Sequence, residues 1–177
     1  MKPYPLFALP LLLIALLTLT GCYQPVYGQK PLLASPTAQE QKLNQVAITG
    51  IPEVDGQKLR NLLIDRFYFS GRPEKPDYAL GVRLSVQKEK LGILKDATAS
   101  RARLTLTASY TLTQNASGKV LFSGNSHSMV AYNIVDPEYA TRGAEENATD
   151  RGLRELADLI TTRVALALNQ QDAPTAP

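Results

Sequence analysis

Two stretches of strict alternation stand out along the chain. Tyr78, Leu80, Val82, Leu84 and Val86 alternate with Ala79, Gly81, Arg83, Ser85 and Gln87. Leu104, Leu106, Ala108, Tyr110 and Leu112 alternate with Arg103, Thr105, Thr107, Ser109 and Thr111. Successive side chains of a strand point to opposite faces, so each stretch predicts a long strand with one apolar and one polar face. Asn115 to Gly118 is a turn signal, and Val120 and Phe122 open a less regular strand that runs towards Tyr132. Upstream, Val46 to Ile51 reads as a short strand. Asp55 is a helix N-cap candidate, Leu59, Leu62, Leu63 and Phe67 recur at helical spacing, and Gly71 and Pro73 give the stop, which predicts a helix over 55–70. Asp136-Pro137-Glu138 combines a capping carboxylate, a proline at the first helical position and a second acid near the positive helix end. Leu153, Leu156, Ala157, Ile160, Val164 and Leu168 carry that helix on, over 137–169 or with a break near Gly143.

The element order is therefore strand, helix, three strands, long helix. Each helix has one apolar stripe and the sheet has one apolar face. A two-layer α+β sandwich, with both helices on one face of a four-stranded mixed sheet, buries all of it. The three consecutive strands should form an antiparallel meander. One domain is expected over 44–169, followed by a polar, proline-containing tail over 170–177 that frays. Residues 22–43 carry Pro25, Pro31 and Pro36 and no usable periodicity, which reads as an extended tether.

Composition narrows the chemistry. Among 177 residues there are one Cys, one His and no Trp. That excludes an internal disulfide framework and leaves too few soft ligands for a zinc site. A triad that needs a histidine base has only His127 to draw on. The formal charge of +3 is too mild to argue for a nucleic-acid partner. No catalytic residue, metal or cofactor is expected.

The N-terminus reads as a targeting segment. Lys2 precedes an apolar run from Leu6 to Leu19, interrupted only by Pro10 and Thr18 and shorter than the ~20 residues of a spanning helix. Leu19-Thr20-Gly21-Cys22 then resembles the lipobox of bacterial lipoproteins. That resemblance implies a signal peptide over 1–21, cleavage before Cys22 and a lipid anchor on its sulfur. The mature chain would begin at Cys22, held by acyl chains at ~0.8 kcal/mol per buried methylene. Tyr23 in place of Asp leans towards the outer membrane.

Charge is segregated along the mature chain. Lys88, Lys90, Lys95, Arg101 and Arg103 lie together against Glu89 and Asp96, whereas between Asp136 and Asp158 seven acids stand against three arginines. Within the basic stretch sit Leu91, Ile93 and Leu94, aliphatics at a connection that is ordinarily polar. Cations beside aliphatics suit a ligand with phosphates beside acyl chains. The plain alternative is a solvated surface whose aliphatics fold back over the core.

Gly21-Cys22-Tyr23-Gln24-Pro25-Val26-Tyr27-Gly28 resembles the start of LptE-type lipopolysaccharide-assembly lipoproteins in their alphaproteobacterial form, with Tyr23 where the family often has Gly. Ile48 to Phe67, with Gly56-Gln57 and Leu59-Arg60-Asn61, is similar to that family's first strand and helix. Ala144 to Leu168, with Asp150-Arg151 and Leu156-Ala157-Asp158, is similar to its last helix. The resemblance implies two helices on a four-stranded sheet. It also implies a non-catalytic role as plug and assembly partner of an LptD-type outer-membrane β-barrel, on the periplasmic side of the outer membrane, with possible contact to lipopolysaccharide. Lys88, Lys90, Leu91, Ile93, Leu94, Lys95, Arg101 and Arg103 are the candidate lipopolysaccharide contacts. The alternative is an auxiliary lipoprotein of a periplasmic phospholipid-transport complex.

Overall fold

The computed structural model describes residues 37–93 and 99–171, and the side chains of residues 92, 93, 99 and 100 lie outside the description. Four strands, β1 (Val46–Ile48), β2 (Tyr78–Ile93), β3 (Ala99–Gln114) and β4 (Val120–Asn133), form one sheet in that order. β1 runs parallel to β2, and β2, β3 and β4 form the expected antiparallel meander. Among the described residues three helices accompany them: α1 (Ala38–Leu43), α2 (Val54–Phe67) and α3 (Glu138–Gln171). The α+β class and the order β-α-β-β-β-α hold, with α1 added in front.

Alternation sets the two faces. Opposed residues on the inner face form rows: Ile48, Leu80, Leu112 and Phe122; then Val82, Tyr110 and Gly124; then Leu84, Ala108 and Ser126; then Val86, Leu106 and Ser128. α3 lies along β3 and β4, with Leu153, Leu156, Ile160, Val164 and Leu168 buried. It comes close because Gly152 has no side chain: a Cβ there would stand 2.7 Å from the Leu106 Cδ1. α2 covers β1 and the start of β2 with Leu59, Leu63 and Phe67, all fully buried. Each such side chain contributes ~1.5–3 kcal/mol through burial.

The two long helices run parallel. Lys58 pairs with Asp150 at 2.9 Å and Arg66 with Asp158 at 2.7 Å, so eight residues along α2 match eight along α3. Arg66 also donates from Nη1 to the Leu62 carbonyl, which fixes the guanidinium that meets α3.

Several boundaries depart from the sequence reading. β2 and β3 extend beyond the alternating stretches, because each supplies the other's backbone partners past the end of the apolar pattern. α3 is continuous through Gly143, and its first residue is Glu138, not Pro137. Its entry is closed by Thr141, whose hydroxyl accepts from the Val135 N–H and donates to the Val135 carbonyl, both at 2.8 Å. The stretch 22–43 lies outside the described residues as far as 36, but its end is helical, not extended. Thr37 and Glu40 form a reciprocal capping box, and Leu43 is buried at the foot of α1.

The step from β1 into α2 carries strain. Glu53, before the first residue of α2, has φ 67° and ψ 166°, a region that glycine occupies freely and other residues do not. The tight turn is needed because Gly56 packs against the Ile51 backbone, where a Cβ would meet the carbonyl oxygen at 3.1 Å. Glu53→Gly should therefore raise the free energy of unfolding by about 1 kcal/mol in a denaturant titration, and an unchanged or lower midpoint would contradict the strain.

Candidate functional site

The candidate contacts lie at the end of the β2–β3 hairpin remote from β1, and the pleat divides them. Lys88 and Lys90 follow Leu80, Val82, Leu84 and Val86 on the inner face, opposed to Leu104 and Ala102. Glu89 and Leu91 lie on the outer face, opposed to Arg103 and Arg101. The sequence cluster is thus two groups, one on either side of the sheet. Ile93 opposes Ala99 in the backbone ladder, while Leu94, Lys95 and Cys22 lie outside the described residues.

On the inner face Lys88 is engaged. Its ammonium pairs with the Glu145 carboxylate on α3 and sits 5.7 Å from the centre of the Tyr132 ring. The Tyr132 hydroxyl donates to the same carboxylate at 2.8 Å. Together these three tie β2, β4 and the first turns of α3. The Glu145 carboxylate is held below its ordinary 4.5, chiefly by the Lys88 ammonium and then by the Tyr132 hydroxyl, with burial opposing. Lys88 is raised above 10.5, mainly by Glu145. Burial is the main cause that raises Tyr132 above 10.0. Beside this latch a groove of about 520 Å³ opens between the N-terminal ends of α2 and α3, with Asp55, Lys58, Arg142 and Glu146 on its walls.

The outer-face group is freer. Arg101 is exposed beside Leu91, and among the described residues Arg103 makes a single ion pair, at 3.6 Å with Glu89, both partners largely in solvent. Such a pair contributes ~0–1 kcal/mol and leaves the guanidinium able to accept another anion. Lys90 is exposed on the inner face, past the reach of α2. The acids of α3 are in part occupied: Asp150 and Asp158 meet α2, Glu145 meets Lys88, and Glu155 accepts from the Ser128 hydroxyl at 2.6 Å.

The arrangement offers charge and hydrogen bonding. His127 is exposed on the outer face, opposed to Thr107. Among the described residues no group of three metal-binding side chains converges, and no helix is long and apolar enough to cross a membrane. Sequence reasoning missed the latch. Its signal was present in Lys88, which falls on the apolar parity of β2, where a cation needs a partner.

Against this geometry, the sequence profile of the lipopolysaccharide-assembly family LptE matches residues 43–164, a span that holds all four strands, α2 and most of α3. The chain belongs to the LptE family. Solved structures agree on the fold. A protein described as a lipoprotein from Caulobacter crescentus is 22% identical, with TM-score 0.61 over 74% of this chain and 96% of its own. The rare lipoprotein B of Shewanella oneidensis is 11% identical, with TM-score 0.58 over 71% of this chain and 98% of its own. Lipoprotein B of Nitrosomonas europaea is 16% identical, with TM-score 0.53 over 68% and 81%. No curated protein matches the sequence at a significant level. In this LptE chain, the family's strands and helices are joined at the hairpin end by the Lys88–Glu145–Tyr132 latch.

The latch has a defined pH window. Glu145 is depressed, so its contribution is present above 4.5 and is lost as pH falls through the lower folded value. Lys88 is raised, so its contribution is present below 10.5 and is lost as pH rises through the higher folded value. The stability difference between wild type and Glu145→Gln should be about 1 kcal/mol on a plateau across neutral pH. It should start to decline as pH drops past 4.5 and vanish once pH is below the depressed folded value, as read by urea titrations across pH. A difference that persists in strong acid would mean that the carboxylate charge is not what holds the latch.

Proposed function

We propose that this LptE chain is an outer-membrane lipoprotein, anchored through Cys22, that plugs and helps assemble an LptD-type barrel and meets lipopolysaccharide at the hairpin end. The observation that carries the reading is the family match over residues 43–164. The hairpin end adds the chemistry. Arg101 and Arg103 stand exposed beside Leu91 on the outer face, with Lys90 exposed on the other, a combination that suits phosphate groups beside acyl chains. Lys88 serves the fold and contributes less to a ligand, because Glu145 already neutralises it. The role is one of binding and placement, with no chemical step.

Three measurements test it. Cys22→Ala should abolish incorporation of labelled fatty acid, and equal labelling would remove the anchor from the proposal. The full chain pulled from mildly solubilised envelopes should bring down a large barrel, whereas a phospholipid-transport complex in its place would favour the rival role. Changing Lys90, Lys95, Arg101 and Arg103 together to Gln should weaken lipopolysaccharide binding several-fold and flatten its dependence on salt, with the melting temperature nearly unchanged. Unchanged binding would leave the hairpin end a solvated surface. Loss of the barrel in that variant would assign the same residues to the protein interface.

A further inference from the structure

The outer face of the sheet carries a second feature, near the β1 end. A trough of about 610 Å³ crosses β2, β3 and β4, a size within the ~300–1,000 Å³ range of small-molecule sites. Its floor is two cross-strand rows, Gly81, Thr111 and Ser123, then Arg83, Ser109 and Asn125. The loop after β1, with Gly50, closes it at the edge of β2. Arg103, the nearer arginine of the hairpin end, is six residues from Ser109 along β3, about 20 Å away.

Two observations point to a ligand. The first is Gly81. Glycine inside a strand weakens it, and its usual reasons are a bulge, a close approach by backbone, or a ligand. Gly124, the other strand glycine whose surroundings are described, has a steric reason, since an added Cβ would stand 3.1 Å from Tyr110. So have Gly56 (2.8 Å from Ile51) and Gly152 (2.7 Å from Leu106) on the helices, whereas Gly143 of α3 has none. At Gly81 it would find only the Thr111 carbonyl at 3.9 Å, in a register that runs through without a bulge. At Gly50 it would find nothing within 4 Å. The fold does not require either glycine, and both line the trough.

The second is charge. Arg83 is exposed, and among the described residues no carboxylate pairs with it. Among the described residues none of those lining the trough is Asp or Glu. A guanidinium presents paired donors that fit the two oxygens of a carboxylate or phosphate. Around it Ser109, Thr111, Ser123 and Asn125 offer hydroxyls and an amide, which match sugar hydroxyls. The floor rows present no large aliphatic side chain to the outer face, so an acyl chain would gain little here.

We propose that this trough binds an anionic saccharide, a sugar that carries a carboxylate or a phosphate. Arg83 holds the charged group and the hydroxyl rows hold the ring. The glycan part of lipopolysaccharide would be one source under the role proposed above. The trough is argued from its own residues, and its test uses free sugars, so its failure leaves that role standing.

The test is titration of the full chain in detergent with glucuronate, glucose 6-phosphate, glucose and inorganic phosphate, followed by the amide resonances of Gly81, Ser109 and Asn125. Saturable shifts are expected with at least one of the two anionic sugars. Glucuronate alone assigns a carboxylate ligand and glucose 6-phosphate alone a phosphate ligand. Glucose and inorganic phosphate should bind at least tenfold more weakly. Arg83→Gln should weaken the anionic sugar by tenfold or more, and Gly81→Val should fill the trough and abolish binding at an equal or higher melting temperature. Absence of saturable shifts with both anionic sugars overturns the proposal. So does equal binding of inorganic phosphate, which would leave the hydroxyl rows without a part. Unchanged affinity in Arg83→Gln overturns it as well, whether or not Gly81→Val folds.

Discussion

A helix of 14 residues cannot cover a strand of 16. At 1.5 Å per residue α2 is about 21 Å long, while β2, at about 3.3 Å per residue, runs about 53 Å. The inner face of β2 records the shortfall in order. Leu80 is fully buried, Leu84 is half-buried, Val86 is 39% exposed, and the next two inward positions are Lys88 and Lys90. Backbone pairing with β3 lets the strand continue, but an apolar inner face beyond the helix would stand bare in water. The change to lysine meets that constraint. α3, 34 residues and about 51 Å, does reach the hairpin end over β3 and β4. Its first turns bury little, so the contact of Lys88 with Glu145 and Tyr132 stands in for the missing apolar cover.

The same mismatch explains what could be read from the chain. Leu80 to Val86 and Leu104 to Leu112 showed their period because α2 and α3 cover those stretches, and coverage is what demands apolar residues. Past Val86 the demand ceases, so the pattern ended several residues before the strand did. α3 remained legible through Leu153 to Leu168, where it packs, and ambiguous near Gly143, where it overhangs. α1 was hidden for another reason. Six residues give too short a window for periodicity, and the Thr37–Glu40 capping box marks a helix start only once the helix is known.

At the candidate site the sequence showed composition but not sidedness. Five cations within sixteen residues read as one cluster, yet the pleat places Lys88 and Lys90 opposite to Arg101 and Arg103. Parity alone could have separated them, since Lys88 follows Val86 by two and Arg103 precedes Leu104 by one. It could not have supplied Glu145 as the partner of Lys88, which is 57 residues away and depends on how α3 crosses the sheet. The acids of α3 read as a solvated run for the same reason. Asp150 and Asp158 share a spacing of eight with Lys58 and Arg66, a match that has meaning only when two helices are known to run parallel.

The two faces of the sheet divide the molecule's work. The inner face is occupied by its own helices and has only the short stretch near Lys90 left for anything else. Among the described residues no element covers the outer face, which presents Ser109, Thr111, Ser123, Asn125 and His127 with three arginines, one glutamate and the exposed Met129. Apart from Leu91 and Met129 such a surface gains little from the hydrophobic effect, so a partner gains mainly by offering hydrogen bonds or charge. For the barrel partnership proposed above this is a fitting match, because lumen-facing positions of outer-membrane barrels are polar. A polar sheet braced from behind by two helices can meet such a wall without melting, since its cohesion lies wholly on the other side.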